Sequence, residues 1–176
     1  MLDHPKQLTK EFISNLFNRE ESDLDSFEFE PVGSGQVGDC YRITLNWNDI
    51  KDSPSSLIAK CPAEDVSSRD TARNLHLYEI EVSFYQHLSA RCSARVPEPY
   101  FVDYDPKTSD GILLLEDMHP AKQIPQMDGC SNDEVAMVLK EAAALHKSYW
   151  NDETLLTYPW LTYDISEERK KFAAEL

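Results

Sequence analysis

The sequence predicts an α+β domain: a five-stranded antiparallel sheet, a long helix packed on it, and a second helix after a linker. Three observations carry this. Apolar residues alternate with polar ones in "SFEFEPV" and "CYRITLNW", the period of a strand. Two further strands, "VPEPYFVDYD" and "GILLLEDM", are joined by "DPKTSDG", where Asp110-Gly111 is expected to supply the tight geometry. Over residues 70–88 the period becomes helical, with Leu77, Ile80, Phe84, Tyr85 and Leu88 on one side.

The remaining elements follow in order. Residues 9–17 read as a short amphipathic helix with Thr9 as its cap and Phe12 and Leu16 on one face. A charged loop, "NREESDLD", leads into the first strand, which Pro31 ends. After the second strand, the turn-rich "NDIKDSPSS" connects to "SLIAKCP", a strand so apolar that both faces are expected to be covered. "KQIPQMDGC" is a linker. Ser131 and Glu134 then form a capping box ahead of a helix whose apolar face carries Val135, Val138, Leu139, Ala142, His146, Tyr149 and Trp150. The closing "ISEERKKFAAEL" reads as the opening turns of a charged helix.

Composition removes several function classes. The 176 residues carry 32 acidic against 17 basic side chains, a formal charge of −15. Nucleic acid and anionic membrane surfaces reward clustered Lys and Arg, so neither is expected as the main partner. The four cysteines show no Cys-x-x-Cys and no histidine at ligand spacing, so neither a disulfide framework nor a zinc site is indicated. No apolar signal core opens the chain and no run approaches the ~18 apolar residues of a membrane span. A reduced, cytoplasmic setting is expected.

Chemistry concentrates in "PVGSGQVGDCYRITL", where Gly33, Gly35 and Gly38 stand in the order G-x-G-x-x-G. A dinucleotide fingerprint needs a helix directly after its glycines. Here an alternating strand follows, so the glycines cap a hairpin. Such a hairpin is either a flap over a triphosphate or a plain turn without a ligand. Lys60 in "SLIAKCP" favours the flap, because an ammonium on a buried strand is costly unless paired. Of the acids on the next helix, Glu79 points away from the apolar stripe toward water, whereas Glu81 falls within it. Lys60 is therefore expected within ~4 Å of Glu81, and losing either partner to cost ~3 kcal/mol if burial is deep. Backbone groups just past Leu115 are placed to read an adenine edge, with Leu113 and Leu114 packing beside it; the alternative is a plain core strand.

The segments "GSGQVGDCYRITL", "SLIAKCPA", "YEIEVSFYQHL", "VPEPYFVDYD", "GILLLEDM", "DGCS", "AAALHKSYWND" and "PWL" together resemble the amino-terminal lobe of the choline/aminoglycoside kinase-like phosphotransferases, especially the ecdysteroid kinase-like branch. The resemblance implies a protein-kinase-like fold, with residues 1–120 as a nucleotide-binding lobe and 121–176 as linker and first helices of an incomplete second lobe. It implies transfer of the γ-phosphate of ATP to a small-molecule alcohol. By matching position it assigns nucleotide contacts to Gly33, Ser34, Gly35, Gln36, Val37, Gly38, Lys60 and Glu81, and to the hinge Leu115, Glu116, Asp117 and Met118.

The family's catalytic Asp belongs to an H-G-D-x-x-x-x-N loop, and its second metal-binding Asp follows soon after. None of the five histidines here begins His-x-Asp. No catalytic or metal-binding residue is therefore assigned, and Mg²⁺ is expected only with the larger lobe. A fragment, a truncated product or an incomplete gene model would each read this way. His146 and Trp150 are expected to serve core packing rather than chemistry. Apolar surface is expected near Tyr149, Trp150 and Trp160, where that lobe would dock. Two functions remain open: the nucleotide-binding part of a small-molecule kinase, or a non-catalytic module that binds nucleotide or protein. The chain is expected to bind ATP weakly, if at all, and to transfer no phosphate.

Overall fold

The computed structural model describes residues 2–33, 37–48, 52–122 and 124–161. Five strands, β1 (Leu24–Pro31), β2 (Gly38–Trp47), β3 (Ser56–Pro62), β4 (Pro99–Asp105) and β5 (Asp110–Glu116), form one sheet in the order β1-β2-β3-β5-β4. Every neighbouring pair is antiparallel. Among the described residues four α-helices accompany it: α1 (Lys10–Leu16), α2 (Val66–Asn74), α3 (Leu77–His87) and α4 (Asn132–Tyr149). This is the expected α+β arrangement of a kinase-like amino-terminal lobe.

Strand alternation sorts the sheet into two faces. Tyr41, Ile43, Leu45, Leu57, Ala59, Ile112 and Leu114 share the larger core with Ile13 of α1. Thr9 caps α1 through a bond to its hydroxyl from the Phe12 N–H, 3.1 Å. Phe12 then meets Phe101 edge-on, and Phe17 meets Trp47 and Tyr100. The opposite face carries Leu113 and Leu115, packed against Val82 and Tyr85 of α3. Leu113 and Leu114 thus point to opposite faces, so only Leu113 borders the α3 side, where both were expected. On β3, Leu57, Ala59 and Cys61 are buried while Ile58 and Lys60 are half-buried. The second face of this strand is a groove wall rather than closed core.

The helix expected over residues 70–88 is two helices. The α2 N-terminus is capped by Asp65, which accepts from the Ser68 N–H at 2.8 Å. Its direction is set by the β4–β5 turn, because Arg69 reaches Asp110 at 2.6 Å and Arg73 reaches the Thr108 carbonyl at 2.6 Å. The direction of α3 is set by the sheet. His76 makes the change of course at φ 56°, in the left-handed region. The side of α3 that meets the sheet carries Tyr78, Glu81, Val82 and Tyr85, of which Val82 is buried; Ile80 and Phe84, expected on the core side with Tyr85, are half-buried.

The β4–β5 turn also differs in detail. Ser109, at φ 58°, takes the left-handed position, and its N–H bonds the Asp105 carbonyl at 2.8 Å. Gly111 already lies in β5 and is needed for another reason. A Cβ there would overlap the Asp103 carbonyl and come within 2.9 Å of Tyr104 Cα.

The capping box of Ser131 and Glu134 opens α4 as expected. The helix docks on the segment after α3: the Tyr149 hydroxyl donates to the Leu88 carbonyl at 2.7 Å, and the Arg91 guanidinium lies 5.0 Å from the Tyr149 ring centroid. Val135, Val138, Leu139 and His146 remain exposed, and Trp150 is 74% exposed. His146 and Trp150 are therefore not core among the described residues. Trp160, expected at the surface, is buried beside Tyr158, which stacks on His87 at 5.5 Å. The helix expected over residues 165–176 lies outside the described residues. No helix among those described is long and apolar enough to cross a membrane.

Candidate functional site

The glycine segment lies between antiparallel strands, which excludes a dinucleotide-type strand-to-helix turn. After β1, the Val32 N–H bonds the Cys40 carbonyl at 2.9 Å, and Gly33 adopts φ +77°. Ser34, Gly35 and Gln36 lie outside the described residues. At the far side, a Cβ on Gly38 would be tight: it would stand 3.1 Å from the Cys61 carbonyl, with the Tyr78 ring at an ordinary 3.5 Å. Close backbone approach is what a glycine permits there.

Strand pairing places Lys60 opposite Cys40 on one side and Leu113 on the other. Its Nζ forms an ion pair with Glu81 Oε1 of α3. The side chains of Lys60 and Glu81 are 35% and 36% exposed, so the pair borders open space instead of lying in apolar core. Glu79 does not reach Lys60, but it does not face open water as expected: its side chain is 26% exposed, less than that of Glu81, and His76 Nδ1 lies 3.2 Å from its Oε2.

Lys60 stands between two recesses. One, of about 250 Å³, runs beneath the hinge and is lined by Arg42, Ile58, Tyr85, Leu115 to His119 and Ala121. The other, about 200 Å³, lies toward the glycine hairpin, among Gly38, Cys40, Tyr78, Glu81, Val82 and Leu113. Burial pushes the Cys40 thiol up, with Lys60 opposing that shift, and pushes the Tyr85 hydroxyl up to about 12. Both are neutral at ordinary pH, so the charges of this wall are those of Asp39, Lys60, Glu81, Arg42, Glu116 and Asp117.

At the hinge, the two acidic side chains are committed to the protein. Glu116 accepts from Arg95 at 2.5 Å and from the Glu98 N–H at 3.1 Å; the Arg95 bond is the main reason its carboxyl is held below the usual range. Asp117 accepts from Arg42 Nε at 2.7 Å, the Ser56 hydroxyl at 2.8 Å and the His119 N–H at 3.0 Å. Burial alone would raise its pKa, but these bonds outweigh burial and lower it. A ligand beneath the hinge therefore meets backbone and the Leu115 and Met118 side chains, not free carboxylates.

Two contributors escaped the sequence reading. Arg42 is two residues from Cys40 on β2, so strand parity puts it on the groove face. Tyr78 is three residues before Glu81, which puts both on one face of α3. Its hydroxyl donates to the Val37 carbonyl and accepts from the Ala63 N–H at 3.1 Å. Among the described residues no group of three or more His, Cys, Asp or Glu side chains is gathered for a metal ion.

No curated protein matches the chain. The model of the ecdysteroid kinase-like family matches residues 33–148, from the glycine hairpin to the last turn of α4. That match spans most of the sequence and the whole wall just described: the chain belongs to the ecdysteroid kinase-like family, a family of kinase-like phosphotransferases.

Proposed function

We propose that residues 1–120 form the nucleotide-binding unit of an ATP-dependent phosphotransferase that acts on small-molecule alcohols, with residues 121–176 as linker and the first helices of a second unit. The carrying observation is the Lys60–Glu81 pair, an accessible ammonium between the glycine hairpin and the recess beneath the hinge. ATP supplies the phosphoryl group to be transferred. In this reading the backbone of Glu116 to Met118 binds the adenine edge under a ceiling made by Ile58 and the Arg42 stem. Lys60 faces the phosphates and Glu81 keeps its ammonium from swinging away. Gly33, Val37, Gly38 and the intervening Ser34, Gly35 and Gln36 supply amides to the phosphate oxygens.

The described residues do not assemble a Mg²⁺ site, and the sequence has no His-x-Asp to orient an acceptor hydroxyl. These same observations favour a second reading for the 176-residue chain by itself, a module that holds nucleotide or a protein partner without transfer. Calorimetry with ATP tests the first part: weak binding that Lys60→Ala abolishes is expected. Transfer to an alcohol that is lost in Lys60→Ala would overturn the module reading, whereas its absence is expected of both. A coding sequence that continues past Leu176 into an H-G-D-x-x-x-x-N segment separates them in favour of the kinase, and one that does not favours the module.

A further inference from the structure

We infer that Tyr78 is a positioning residue for the glycine hairpin: its hydroxyl fixes the Val37–Gly38 peptide plane and so aims the Gly38 N–H. The evidence is geometric. The hydroxyl donates to the Val37 carbonyl and accepts from the Ala63 N–H, so it bridges the start of β2 and the residue just past β3. The Val37 C=O and the Gly38 N–H belong to one planar trans unit and point in opposite directions. Holding the carbonyl therefore holds the amide.

The ring completes the arrangement. A Cβ on Gly38 would lie at van der Waals distance, 3.5 Å, from Tyr78 Cε1, so the ring stands beside the side-chain-free edge of the glycine. Burial pushes the Tyr78 pKa up, which keeps the proton on the oxygen for the carbonyl. One turn later on the same helix face, Glu81 holds Lys60. A single rigid turn of α3 thus sets both the hairpin amide and the ammonium. Tilting α3 would displace both together.

The tether itself stands without any ligand; its consequence for ATP rests on the nucleotide reading above. The test uses the 176-residue chain and its Tyr78→Phe and Glu81→Gln variants. Hydrogen exchange is followed in the unliganded proteins, and calorimetry is run with ATP and with adenosine. In Tyr78→Phe, exchange over residues 37–40 should quicken about tenfold, the loss of one hydrogen bond, while residues 41–47 keep their rates. Glu81→Gln should leave residues 37–40 unchanged. ATP should weaken about tenfold in Tyr78→Phe and adenosine less than about twofold, because only the phosphate side is loosened. Unchanged exchange at residues 37–40, or a rise spread evenly over the sheet, overturns the inference. Equal weakening of ATP and adenosine also overturns it. If the wild-type chain takes up no ATP, the nucleotide reading fails, and the exchange data alone decide the tether.

Discussion

The Arg42–Asp117 and Lys60–Glu81 pairs each join a cation on the sheet to an acid on a later segment, but in different surroundings. The Asp117 side chain is 6% exposed and accepts from Arg42, Ser56 and the His119 backbone. Glu81 is 36% exposed, and the Lys60 it holds borders two recesses. A buried acid with its acceptor sites filled cannot change partners without leaving several donors unmet. A partly exposed pair can exchange one anion for another at small cost. The first pair therefore fixes the shape of the groove, and the second presents a charge to whatever enters it.

The largest effect should come from breaking the buried member. Asp117→Ala should destabilise the fold by about 2 kcal/mol, since it leaves the Ser56 hydroxyl and the His119 N–H without their acceptor, while Arg42, 34% exposed, can turn to water. Urea unfolding measures this. A cost equal to that of Glu81→Ala would erase the distinction between the two pairs.

Acid should expose the same difference. The folded-state pKa of Asp117 is depressed, so its stabilisation is fully present above the unfolded value of about 3.9. It is lost as pH falls through the depressed folded value. Unfolding free energies from pH 6 downward should drop below about pH 4 in the wild type, and less steeply in Asp117→Asn. Parallel curves would remove Asp117 from the account. Glu116 and Asp152 are depressed too, so some of the slope should survive in the variant.

Smaller still, Lys60→Ala or Glu81→Ala should change stability by no more than about 1 kcal/mol. That is below the ~3 kcal/mol expected for a deeply buried pair, because about a third of each side chain meets solvent. The smallest effect belongs to the exposed face of α4. Val138→Lys should alter stability by less than about 0.5 kcal/mol while reducing binding of a hydrophobic dye. A large loss of stability there would mean the face is packed in solution.

The sheet and the Lys60–Glu81 pair were legible because both rest on local period. Alternation marked the first strands, and helical spacing separated Glu81 from Glu79. Capping at Thr9 and Ser131 was legible for the same reason: the bonding groups lie three residues apart. What stayed hidden depends on contacts between distant segments. Arg42 and Asp117 are 75 residues apart, and nothing in either flank announces the other. The bend at His76 follows from Arg69 and Arg73 reaching the β4–β5 turn, not from a glycine or proline. Ser109 took the left-handed place because Gly111 was already required against Asp103 and Tyr104. Trp160 looked like docking surface, but it is buried beside Tyr158, a ring that the distant His87 stacks upon.

The central claim is that Lys60 serves a ligand and not the fold. Calorimetric titration of ATP into the wild-type chain and into Lys60→Ala, with urea unfolding of both, tests it most directly. Weak ATP binding should disappear in Lys60→Ala while the unfolding free energies agree within about 1 kcal/mol. Equal ATP affinity in the two proteins, or a variant that loses binding only because it has unfolded, would contradict it.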